Sequence, residues 1–64
     1  MHLKVWWKGN PKYRNGETPL HRYSGIVVGT TETGFWVRRD DDHSLDIVEN
    51  DRITQNDWVE DPRV

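Results

Sequence analysis

Tyr23 to Ile53 reads YSGIVVGTTETGFWVRRDDDHSLDIVENDRI, and these residues decide the fold. Short runs of β-branched and aromatic residues are broken by glycine and by acidic turn residues. No segment keeps a 3.6-residue apolar period over the ~12 residues a helix needs. Tyr23 to Thr30 reads as a central strand, with Gly25 and Gly29 marking a bend or a close backbone approach. Thr31 to Gly34 reads as a hairpin loop into a strand from Phe35 to Arg39. Asp40 to Ser44 is the next turn, Leu45 to Glu49 a further strand, and Asn50 to Ile53 a tight or 3₁₀ turn returning the chain for a last short strand.

Outward from this stretch, Leu3 to Trp7 alternates Leu3, Val5 and Trp7 with Lys4 and Trp6, the period-2 pattern of a strand with one buried face. Residues 9–22, GNPKYRNGETPLHR, form a long first loop with a turn at Asn15-Gly16. Thr18-Pro19 reads as an N-cap and first helical position, which predicts one helical turn through Leu20 to Tyr23. The fold class is therefore all-β, with about five short antiparallel strands over residues 1–57 and a short acidic C-terminal tail at 58–64. Val5, Ile26, Val28, Phe35, Val37, Val48 and Ile53 are expected to supply most of the core.

The pattern of residues 25–53 resembles the small SH3-like barrels, in particular their Tudor-like and KOW-like members. It runs glycine, apolar pair, hairpin, aromatic-valine strand, acidic turn, then a short strand closing on an Asp-Arg-Ile turn. The resemblance implies a small barrel with residues 9–22 as its first long loop. It does not imply one ligand, because such barrels bind peptides, methylated side chains, nucleic acids and protein surfaces alike.

Composition narrows the function. The 64 residues have room for one core. Without cysteine there is no disulfide, thiol nucleophile or thiolate metal site, and a reducing cytoplasmic setting is the default expectation. The N-terminal MHLKVWWKGN interrupts its apolar run at Lys4 and Lys8, so it is neither a signal-peptide core nor a membrane span. Net charge is −2, but residues 1–30 carry +4 and residues 31–64 carry −6. That asymmetry fits either halves that pair with each other or a bipolar binding surface.

Catalysis has no visible seat. His2, His21 and His43 have no ligand spacing, and Ser24 and Ser44 stand outside any triad or elbow. Asp40-Asp41-Asp42-His43 lacks the glycine and distal glutamate of a calcium loop and reads as a solvated turn. Arg38-Arg39 before it reads as part of a solvated hairpin with cross-strand charge pairing. No metal or cofactor is expected, and the protein is read as non-enzymatic.

The aromatic residues are the functional signal. Alternation puts Phe35 and Val37 on one face and Trp36 and Arg38 on the other, and sets Trp6 against Val5 and Trp7. Four tryptophans exceed what one face can bury. The reading is a protein-interaction or regulatory module, with an aromatic-rimmed groove beside the 9–22 loop. Its expected binding residues are Trp6, Lys12, Tyr13, Arg14, Arg22, Tyr23, Trp36 and Arg38. The alternative is single-stranded RNA or DNA, with rings stacking on bases and the cations of WWKGNPKYR and HRY meeting phosphates. A methylammonium cage from Tyr23, Trp36 and Asp40 is a minor branch.

Overall fold

The computed structural model describes residues 1–60. Five antiparallel strands are present: β1 (His2–Lys8), β2 (Arg22–Thr30), β3 (Gly34–Arg39), β4 (Leu45–Glu49) and β5 (Ile53–Val59), with a 3₁₀ turn at Asn50–Arg52. They form one sheet in the order β4-β3-β2-β1-β5, an all-β architecture compatible with a small barrel. The glycine-bounded β-branched runs become the strands expected of them. The expected helical turn at Leu20 to Tyr23 is not there. His21 N–H closes one turn on the Thr18 carbonyl at 3.1 Å, and β2 begins at Arg22. Tyr23 is drawn into the β1–β2 ladder opposite Trp7, and sheet pairing outweighs a single turn's propensity.

Turn chemistry follows the residues. Glu17 N–H bonds the Arg14 carbonyl at 3.2 Å across Asn15-Gly16, and Gly16 takes φ +92°, where a side chain would be strained. At Gly25 an added Cβ would come within 2.4 Å of the Arg38 carbonyl oxygen, so the close approach of β2 to β3 requires glycine. His43 also takes a left-handed φ, 61°, without glycine's freedom. His43→Gly is therefore expected to raise stability by about 1 kcal/mol. An unchanged or lowered urea midpoint would contradict that account.

Val5, Trp7, Val37 and Val48 form the buried centre, with Leu3, Tyr23, Val27, Phe35 and Ile53 packed against it. Val5, Ile26, Val37 and Val48 of the expected core are buried, and two corrections follow from the sheet's geometry. Register slips between Val27 and Gly29, so Val28 is the extra residue of a bulge and is half exposed, while Val27 faces Val37 inside. Phe35 and Ile53 are only partly buried, because they line an open side of the sheet. Ile26 is buried as expected, on the outer face in register between Lys4 and Arg38.

β5 continues to Val59, so Trp58 lies in the sheet opposite Leu3. Residues 61–64 of the expected tail lie outside the described residues. No helix is long and apolar enough to cross a membrane among the described residues.

Candidate functional site

Among the described residues β1 pairs with β2 and β5, while β5 pairs with β1 alone and β4 with β3 alone. Two free edges leave the inner face uncovered where β5, β3 and the 3₁₀ turn converge. The result is a groove of about 450 Å³ lined by Leu3, Val5, Phe35, Ile53 and Trp58, with Asn50 and Asn56 at its polar points. Trp58 is 62% exposed although it lines this side, so a large apolar surface stands at the rim uncovered among the described residues. Neither the Asn50 nor the Asn56 carboxamide is hydrogen-bonded within the described residues. Each can donate and accept, and together they suit a peptide backbone laid in the groove.

The long first loop is built differently. Glu17 and Arg39 are both almost fully buried, with side chains 2% and 3% exposed. Arg39 donates to Glu17 at 3.0 Å and to Asp46 at 3.0 Å, and forks onto both oxygens of Asp41 at 3.1 and 3.0 Å. The second Glu17 oxygen accepts the Asn10 N–H at 2.9 Å and meets Arg52 at 3.4 Å. Above the guanidinium lie Tyr23 at 4.7 Å and Trp7 at 5.6 Å. Glu17 thus fastens residues 10–17 to the sheet. Burial works against the Arg39 charge, yet the bonds to Asp41, Glu17 and Asp46 more than offset it and keep the guanidinium protonated. Asp41 is lowered to about 2, chiefly by its Arg39 bond and against a smaller opposing effect of burial.

This network corrects the reading of Arg38-Arg39 as a solvated hairpin. Arg38 does face outward, but Arg39 shares the inward parity of Val37 and is buried. It also accounts for much of the charge asymmetry. Lys4 pairs with Asp40 at 3.0 Å and Arg14 with Asp42 at 2.7 Å, so cations of the first half meet acids of the second.

The expected binding residues divide between two sides. Trp6, Trp36 and Arg38 lie on the outer face, where Trp6 sits under Lys4 at 5.2 Å and Trp36 is 41% exposed beside Ile47. Arg22, at the start of β2, bonds Thr54 and Gln55. Tyr13, Arg14 and Tyr23 belong to the loop network, with Arg52 4.4 Å over the Tyr13 ring, and Lys12 is exposed on the loop. Trp36 and Tyr13 therefore share no groove, because strand parity turns Trp36 away from the side where the loop is fastened. The cage of Tyr23, Trp36 and Asp40 is not assembled either. Arg39 covers the Tyr23 ring, and Asp40 bonds Ser24 and Lys4. Among the described residues no group of three or more His, Asp and Glu side chains is placed to hold a metal ion.

Sequence reasoning missed Leu3, Phe35, Asn50, Asn56 and Trp58 as groove residues. A signal existed in the surplus of rings, which applied to Trp58 as much as to Trp36. No family model, curated protein or solved structure matches this chain.

Proposed function

We propose that the protein is a non-enzymatic interaction module, an SH3-like barrel of Tudor-like or KOW-like type acting in the cytoplasm. On this reading it grips an apolar segment of a protein partner in the groove of Leu3, Phe35 and Trp58. The supporting observation is the exposure of Trp58 at the rim of a groove of mixed apolar and polar lining, whose two carboxamides make no hydrogen bond among the described residues. Aromatic anchors in such settings supply much of the binding energy. The strand order and the 3₁₀ turn before the last strand support the barrel assignment.

Single-stranded nucleic acid is the less well supported reading. Of the first-half cations, Lys4 is paired with Asp40 and Arg14 with Asp42, so part of the charge a phosphate backbone would meet is already committed, and Lys8 and Lys12 stay exposed. Trp58→Ala is expected to weaken a protein partner captured by the wild-type chain by about 30-fold, with the unfolding midpoint little changed. Trp36→Ala serves as the control and should keep the partner. Retention of the partner by a folded Trp58→Ala variant would exclude the groove, and binding that falls steeply with salt would favour nucleic acid.

A further inference from the structure

We infer that the groove takes an extended peptide of alternating apolar and basic residues, which adds to the free edge of β5 as a sixth strand. The inference rests on the groove reading above and specifies its occupant. β5 is seven residues long and exposed from Thr54 to Trp58, with β1 on one side and no strand on the other among the described residues. Its ladder groups on that edge face the open side, and strand addition is the recurrent way such an edge is filled.

The two free edges differ in how open they are to pairing. β4 turns the charged Asp46 inward onto Arg39 and Arg14, and an inward charge discourages a further strand. β5 places Asn56 and Trp58 on the groove side and Asp57 on the other, with no proline and no inward charge. A strand laid beside β5 would drop every second side chain among Leu3, Val5, Phe35 and Ile53. The intervening side chains would stand on the face of Asp57.

Charge then selects the partner. The segments framing the groove carry Glu49, Asp51, Asp57 and Glu60. Residues 49–60, the 3₁₀ turn and β5 with their flanks, hold these four acids against Arg52 alone, which is committed to Glu17 and the Tyr13 ring. Of the cations on the other framing strands, Lys4 is paired with Asp40, Arg39 is buried among its own carboxylates, and Lys8 lies at the end of β1 away from Leu3. The framing is acidic, so lysine or arginine at the peptide's alternate positions is complementary and an acidic peptide is repelled.

The test uses a capped seven-residue peptide of alternating Lys and Val, titrated into the isotope-labelled full chain. Binding below ~1 mM is expected, with amide exchange of residues 54–58 slowed at least about tenfold. A Glu-Val analogue should bind at least about tenfold more weakly at low salt. In a strand, successive N–H groups point to opposite edges, so N-methylation at one alternate set should abolish binding and at the other should not. Absence of binding by the Lys-Val peptide overturns the inference, as does equal binding of the two methylated peptides or of the Glu-Val analogue. Protection of 54–58 that appears on concentrating the protein alone, with dimer formation, would overturn it in favour of a second copy of this chain. None of these outcomes removes the groove itself, which fails if a folded Trp58→Ala variant keeps the captured partner.

Discussion

Arg39→Ala is expected to leave the chain unfolded at 25 °C. The side chain is 3% exposed and bonded to Glu17, Asp41 and Asp46, and the Glu17 carboxylate it holds is buried as deeply. Removing the cation strands that carboxylate with the Asn10 N–H and a longer contact to Arg52. Breaking a buried pair from one side costs about 3–5 kcal/mol, which matches the whole stability a core of this size supplies. Glu17→Gln should be milder, at about 1–3 kcal/mol, because an amide oxygen still accepts from Arg39 or Asn10. Circular dichroism and urea melts would separate the two. A folded Arg39→Ala protein with an unchanged midpoint would show that the network contributes nothing net.

The same network sets the response to acid. Asp41 has a folded-state pKa near 2, below the ordinary aspartate value of about 3.9, so the unfolded chain takes up its proton first. Its contribution is fully present above about pH 4 and is lost as pH falls toward 2. Arg39 stays charged throughout, so neutralisation of Asp41 is the cause. The thermal midpoint should therefore fall over that interval, and a midpoint flat from pH 4 to 2 would contradict the assigned pairing.

The strands were readable because their signals are local. YSGIVVGT, GFWVRR and LDIVE each carry β-branched or aromatic residues between turn residues, and Asn15-Gly16 needs only itself to specify a turn. The features that failed depend on partners far along the chain. Arg39 sits in a run of charge that looks like surface, and its burial is decided by Glu17, 22 positions away on the loop. Parity did contain the clue, since Val37 and Arg39 lie two apart and share a face. Ile26 and Val28 read together as core, but Val27 is the residue set against Val37, so alternation turns both to the outer face, and which parity of β2 points inward has no local signature. The groove draws on β1, β3, the 3₁₀ turn and β5, so its lining becomes visible only with the register that sets Leu3 against Trp58.

Trp7 tests whether the core is organised around one ring. It is fully buried, stacks on Tyr23 at 6.5 Å between centroids, and lies beneath the Arg39 guanidinium. Trp7→Ala removes the largest buried side chain, and about 3–5 kcal/mol of lost contact and residual cavity should unfold the chain. Trp7→Phe should behave differently, for a reason specific to this site. The Trp7 indole N–H is buried without a hydrogen-bond acceptor among the described residues, a penalty of about 1–3 kcal/mol that the phenyl ring does not carry. Phenylalanine keeps a face for Tyr23 and Arg39 and loses only part of the buried area. The relief of the N–H offsets much of that loss, leaving a net cost of about 1 kcal/mol. The expected order of urea midpoints is wild type, then Trp7→Phe close below, with Trp7→Ala unfolded before denaturant is added. If Trp7→Phe is as damaging as alanine, the indole nitrogen contributes to stability, and the core depends on a polar contact as well as on ring packing.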